Sequence, residues 1–557
     1  MIRSAHLSLP NTQQDTLQGK DFIGEISYWS WVVLILSFLF QIAFHWSLMN
    51  LLALASVFLG WIVTTKIFLK RPMLEKYPLS IFLIIGFTTT QLYFPLLFTT
   101  LEGKSLLFNL EVPEHVFLHS TLALVVLLLS HSFYRLLSRI SHRRSFSIME
   151  KVGFFTAPTE RQLWMMGFIG IAAAYYYFFT TETGREVTEV TGSAGEKFVQ
   201  SLLPFQYAPF FILMGRLFGG KDVNLKRVVP MLIGYGAILF LISIGRNNTS
   251  AFMFGFTAVA FGYFLGLLLK IYYTKLFTLR NMVIAGFFLW LVVGPVADLR
   301  TAMVNVREHR SDVSASEMME MTIDAYFDKE AIEARRNFDE QRDTEWDERY
   351  LDNVLTARFG NIKFNDINLV QSLKIREYDP DMLDFSIDYM LGGLPDPFLK
   401  ALNLDVDKES IYSVSIGDFI YLAAGGYGTV SGFRSGQFAG TGMATFSWWY
   451  LLILAVGMVF VFYLYDKFYR YEEIPSSSPD QPTEKRMIFS CCGLLALTSI
   501  FLYFVALQSV IQIAPFLYRG WIQLSLLYLL MYHFTRIFSG SFMRNSEVAK
   551  TLKRIKI

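Results

Sequence analysis

Apolar runs long enough to cross a bilayer recur along this chain from residue 27 to residue 298, give way to a polar stretch over residues 299–445, and resume at residue 446. A helix needs about 20 mostly apolar residues to span a hydrocarbon core, and in lipid the helix is the form that satisfies every backbone group within one segment. The pattern predicts about twelve such spans, near 27–45, 48–68, 78–100, 115–136, 161–181, 200–219, 227–245, 250–273, 279–298, 446–465, 487–508 and 514–536. Only Trp46 and Ser47 separate the first two, which predicts a tight helical hairpin. Barrel strands would be half as long and would alternate in polarity, so the expected class is an all-α polytopic membrane protein.

Five regions follow from that pattern: an N-terminal tail (1–26), helices 1–9 (27–298), one large and mainly helical insert (299–445), helices 10–12 (446–536) with a Pro- and Ser-rich flexible linker (466–486), and a basic tail (537–557). The polar stretch Met1–Glu25 lacks a cleavable signal pattern, so the first span is expected to act as the insertion signal. Composition agrees with the membrane class: 53% of residues are hydrophobic and 16% aromatic.

The net charge of +2 is uninformative, but its placement is not. Basic residues collect after every second span, as in Lys70–Lys76, Arg135–Lys151, Arg216–Arg227, Lys270–Arg280, Lys467–Arg486 and Arg544–Lys556, while the alternate loops are short or acidic. By the positive-inside rule both termini are cytoplasmic and the insert faces outward. Arg135–Lys151, with apolar residues among its cations, is expected to rest on anionic headgroups. Cys491 and Cys492, the only cysteines, fall inside an apolar span as packing residues. There is no Walker loop, dinucleotide fingerprint or His/Cys metal spacing, so no cofactor, metal or nucleic acid is expected.

Within the insert, Ser314 to Leu373 carries helical spacing with strong charge, and Gly and Pro become frequent from Asp379 onward. The glycine-rich run Gly417–Gly442 suits a loop that re-enters the membrane face or closes over a substrate. The candidate chemistry is cationic. Arg246, followed by Asn247, Asn248 and Thr249, stands at the outer mouth of a helix pair, where a guanidinium suits a phosphate. Arg300 follows span nine, Arg358 and Arg434 lie in the insert, and Arg519 sits beside Tyr518 near the outer end of span twelve, a costly place for a charge unless it serves a polar cavity. Asp379-Pro380-Asp381 is weak as a metal pair. His309 is the insert's only histidine and the natural place to seek a base.

Ser243-Ile244-Gly245-Arg246 opening an apolar span, Arg358-Phe359-Gly360 followed by Asn365, Asp366 and Ile367, the Gly417–Gly442 run, and the return into an apolar helix at Trp448 together resemble the O-antigen polymerase family, also called oligosaccharide repeat unit polymerases. The resemblance covers roughly the second half of the chain. It implies a GT-C-like, metal-independent glycosyltransferase of the bacterial inner membrane that needs no nucleotide donor. Such an enzyme polymerises polyprenyl-diphosphate-linked repeat units on the outer face, for O-antigen, capsule or exopolysaccharide, with a chain-length regulator as an expected partner. On that reading Arg246, Arg358 and Arg519 clamp the diphosphate. Arg300, Arg434, Asn247, Asp366 and Tyr518 bind substrate, Asp366, His309 and Glu377 are candidate bases, and Tyr427, Phe433, Phe438 and Tyr518 are candidate sugar or lipid contacts. One loop dominates here, whereas the family is described with two arginine-rich loops. The rivals are an O-antigen ligase and a non-enzymatic flippase or exporter. A flippase should place charges in the middle of several spans, and here they gather at the outer ends.

Overall fold

The computed structural model describes residues 22–141, 147–181, 194–246, 250–273, 278–306, 309, 313–341, 346–360, 362–375, 378–427, 434–474 and 484–554. Nearly all of them are helical, and among the described residues nine helices are long and apolar enough to cross a membrane. The protein is an all-α polytopic membrane protein.

The first seven spans follow the sequence pattern. Helix α1 (Phe22–Phe44) turns at once into α2 (Leu48–Val63), whose Ser47 cap accepts a hydrogen bond from the Asn50 N–H at the point where the hairpin was expected. Helix α3 (Pro78–Thr88) continues through a π-helical turn, Thr89–Tyr93, to Leu101 and is the most enclosed span. Then come α4 (Pro113–Ser141) and α5 (Glu160–Thr180), the latter opened by a Thr159–Gln162 capping box. A span ending in the 3-10 segment Leu203–Phe218 precedes α6 (Leu225–Gly245). The expected eighth span is α7 (Ser250–Leu268).

Two predicted spans are broken. The ninth divides into α8 (Leu279–Val293) and α9 (Pro295–Asn305), because Pro295 disfavours helical geometry at the residue before it and Gly294 absorbs the kink at φ −96, ψ −94. The eleventh becomes three short helices over Cys491–Ala506. Irregular backbone at membrane depth is tolerated where protein covers it, and α3 covers this one so closely that a Cβ on Gly86 would meet the Phe501 carbonyl oxygen at 1.9 Å. Cys491 and Cys492 are buried there as free thiols.

The insert supplies α10 (Ala315–Phe327), α11 (Ile362–Lys374), α12 (Pro380–Gly392) and α13 (Ile416–Ala423). The chain then enters α14 (Phe438–Phe446) and, after a kink at Ser447 with φ 47, α15 (Tyr450–Tyr465), one apolar stretch to Phe468. The expected flexible linker is instead, over its described ends, an antiparallel hairpin in which β1 (Tyr469–Ile474) pairs with β2 (Glu484–Phe489). The Tyr469 and Tyr471 hydroxyls donate to the Lys76 and Glu75 carbonyls, tying the hairpin to the end of α2 and α3 that lies away from the insert. The last span runs through another π-helical turn, Phe516–Gly520, into α16 (Trp521–Arg554).

Helix α11 explains how the insert is held. Lys363, Asn365, Asp366, Asn368 and Gln371 are all buried, so this polar helix is driven into the end of the bundle rather than floating above it. The Asp366 carboxylate accepts hydrogen bonds from the Glu111 and Val112 N–H groups (2.9–3.1 Å) and from the Lys363 ammonium (2.8 Å), which also donates to the Asn109 carbonyl. Tyr350 donates to the Leu106 carbonyl, Glu102 accepts from the Asp352 and Asn353 N–H groups, and Asn109 donates to Asp347. Residues 346–374 thus grip the loop between α3 and α4 at its backbone.

Candidate functional site

An apolar groove of about 1610 Å³ lies between α6, α7, the Leu203–Phe218 segment, α8–α9 and α10. Leu225 and Val229 line it at the start of α6, Gly236 and Ala237 at its middle, and Leu241 and Ile244 near its end. It therefore follows α6 along most of its length, roughly 30 Å at 1.5 Å per residue. Its charged lining residues, Arg216, Lys221 and Asp222, stand at the end away from the insert. There Arg216 forms a two-point ion pair with Asp222 (3.0 and 3.2 Å), and hydrogen bonding to this guanidinium holds the Asp222 carboxyl below the usual range. At the other end Leu299 of α9 and Met319, Ile323, Tyr326 and Phe327 of α10 close it. Helix α10 presents those apolar residues because they recur on one helical face, and its Ser314–Glu317 capping box fixes where it begins.

Two of the sequence-predicted arginines belong to helices that frame the insert end of this groove. Arg246 is the C-cap residue of α6, two positions beyond Ile244, and its guanidinium carbon lies 3.1 Å from the centre of the Phe178 ring at the end of α5. Arg300 follows Leu299 on α9 and is half-buried. His309 is exposed just past the end of α9.

The other candidates sit elsewhere and hold the insert together. Arg519, in the π-helical turn before α16, donates to the Gly393 carbonyl (3.2 Å) and to Gln523 (3.1 Å), and neighbouring Tyr518 donates to the Met390 carbonyl. Both residues thereby satisfy carbonyls at the C-terminus of α12, where a positive charge also suits the helix dipole. Arg434 pairs with buried Asp418 (2.8 Å) and lies over the Tyr421 ring at 4.0 Å. Asp366 is buried with both oxygens engaged by the Glu111 and Val112 N–H groups and the Lys363 ammonium, so the structure gives it a part in holding the fold. Asp379 is the cap of α12, accepting from the Met382 N–H, which accounts for the Asp379-Pro380-Asp381 motif. Phe438 is fully buried against Phe87 and Phe504 and lines no sugar or lipid surface, whereas Tyr427 is exposed. Asn247, Glu377 and Phe433 and the side chain of Arg358 lie outside the described residues.

Arg246 and Arg300 stand on α6 and α9, two helices that line the groove, while Arg519 is engaged at α12 and the Arg358 side chain lies outside the described residues. Sequence reading missed the groove, which is a gap between helices and leaves only a faint trace in the small residues Gly236 and Ala237. No protein family profile, curated protein or solved structure matches this chain.

Proposed function

We propose that this protein is a bacterial inner-membrane polymerase of polyprenyl-diphosphate-linked oligosaccharide repeat units, working at the outward, insert-bearing end of the bundle. The observation that carries the reading is the position of Arg246 and Arg300 on the two helices, α6 and α9, that border the insert end of the large apolar groove. A lipid-linked glycan has a long apolar tail, a diphosphate and a sugar chain in that order, and groove, guanidiniums and outer insert offer matching surroundings in the same order.

In the proposed step an acceptor hydroxyl of one repeat unit attacks the anomeric carbon of the growing chain. A glycosidic C–O bond forms, the anomeric carbon's bond to the diphosphate oxygen breaks, and the acceptor proton leaves to a base, for which exposed His309 is the described candidate. Charge grows on the departing diphosphate, and fixed cationic donors stabilise such charge by several kcal/mol each. The flippase reading is disfavoured by the groove's character: a diphosphate headgroup crossing the bilayer needs a polar path, and the interior of this groove is apolar.

Complementation of a deletion strain tests the reading. With Arg246→Ala or Arg300→Ala, the protein is expected in the membrane at normal levels while surface glycans collapse to one repeat unit. Normal long-chain ladders from both variants would overturn the assignment. Unattached long polymer in the deletion strain would point to a ligase, and undisplayed precursor to an exporter.

A further inference from the structure

Gly236 stands inside a helix, where glycine costs about 1 kcal/mol relative to alanine. In membrane helices that cost is commonly offset by letting a neighbouring helix approach. Gly236 has no such neighbour: a Cβ built on it meets nothing within 4 Å, and the space it faces belongs to the groove. Pro209 and the Gln206 backbone, by contrast, crowd Gly167 and Gly170 of α5 at 2.2 Å. The missing side chain on α6 keeps the middle of the groove open.

We infer that the groove is a binding site for one long isoprenoid chain and selects carrier lipids by tail length, with Gly236 keeping its waist passable. This rests on the reading above and adds to it where the tail goes and which lipids are refused. Four observations favour that occupant. At about 1610 Å³ the groove exceeds the roughly 1,000 Å³ upper range of sites for drug-sized ligands. Its lining runs from the Lys221–Val223 turn to α10, so a short tail would leave the inner part without contacts. At the inner end Arg216 and Asp222 neutralise each other and leave the Lys221 ammonium, against the two guanidinium groups carried by the helices at the other end. The insert end is bordered by the helices bearing Arg246 and Arg300, so a lipid with one anionic head has one favoured orientation.

The test is native mass spectrometry of the full-length protein in detergent, titrated with undecaprenyl phosphate, geranyl phosphate or phosphatidylglycerol. Wild type is expected to prefer undecaprenyl phosphate. Gly236→Phe, whose Cβ meets nothing within 4 Å and whose ring occupies the waist of the groove, should weaken that lipid about tenfold and leave geranyl phosphate unchanged. Gly234→Phe, on the same helix but on an exposed face that also meets nothing, should bind as wild type does. If Gly236→Phe does not fold, Gly236→Leu occupies less of the same space and is read in the same way. Equal binding of the long and short phosphates, preference for phosphatidylglycerol, or unaltered binding by the Gly236 variant would each overturn the proposal. The two readings fail separately: a Gly236 effect on binding with normal glycan ladders in the deletion strain sinks the polymerase and spares the groove, and the reverse pattern sinks the groove alone.

Discussion

Gly236 of α6 and Gly440 of α14 are both helical glycines, and they are used for opposite ends. A Cβ on Gly236 would enter empty space, whereas one on Gly440 would lie 2.2 Å from the Asn368 carbonyl carbon of α11. The first glycine keeps a gap open and the second lets two helices close completely. The contrast extends to the surroundings. The α11–α14 region is dense and polar, with Asn368 donating to the Ser435 carbonyl and Thr441 to the Gln508 carbonyl, while the α6–α10 region is loose and greasy. The two glycines thus mark a closed seam and an open one within the same bundle.

Breaking the dense side should have the largest effect. Asp366→Ala leaves the Lys363 ammonium buried with its charge partner gone and takes the acceptor from two backbone N–H groups. Removing one member of a buried ion pair costs about 3–5 kcal/mol, so the variant is expected to melt far below wild type in detergent and to be depleted from membranes. A melting curve within experimental error of wild type would show that α11 does not carry the insert.

That same residue shows where the sequence stops being readable. The spans and the insert were legible because apolar runs are local, and each fixes its own helix. Asp366 took its substrate role from the family resemblance alone, and its polar neighbours Lys363 and Asn368 were given none. The partners of Asp366, Lys363 and Asn365, the backbone of residues 109–112 and the side chain of Ser120, are more than two hundred residues away, and no local pattern records such a pairing. For Arg519 the sequence showed a costly cation near the membrane, and it could not show the Gly393 carbonyl to which that cation donates, because α12 lies more than a hundred residues earlier. Arg246 was legible as a helix-end guanidinium, while the groove it borders exists only once α6, α7 and α9 are assembled.

A smaller effect separates the two glycines directly. Gly440→Ala pushes a methyl group into the α11 backbone, which cannot swing aside as a side chain would. Overpacking of this kind costs about 1–3 kcal/mol. Gly236→Ala, removing a helix-interior glycine into open space, should be neutral or stabilising by up to about 1 kcal/mol. Thermal melting of the two alanine variants side by side is the measurement, and equal destabilisation would erase the distinction between a closed and an open glycine.

The smallest effect lies at the rim of the dense side, where Asp347 meets Arg349 and Asn109. Burial alone would raise the Asp347 pKa, but hydrogen bonds from Arg349 and Asn109 outweigh it and leave the value lowered. A carboxyl whose folded pKa is depressed contributes stability that is present above its unfolded value of about 3.9 and is lost as pH falls through the folded one. The tie is partly exposed, so its worth is about 1 kcal/mol or less. Asp347→Asn should therefore loosen residues 346–353 modestly at pH above about 4 and match wild type once acid has protonated Asp347. Pepsin cleavage beside Tyr350, an aromatic residue buried in the native fold, reports the loosening at acid pH. Faster cleavage of the variant that persists undiminished to the lowest pH would mean that the hydrogen-bonding geometry of Asp347, and not its charge, fastens this edge of the insert to the bundle.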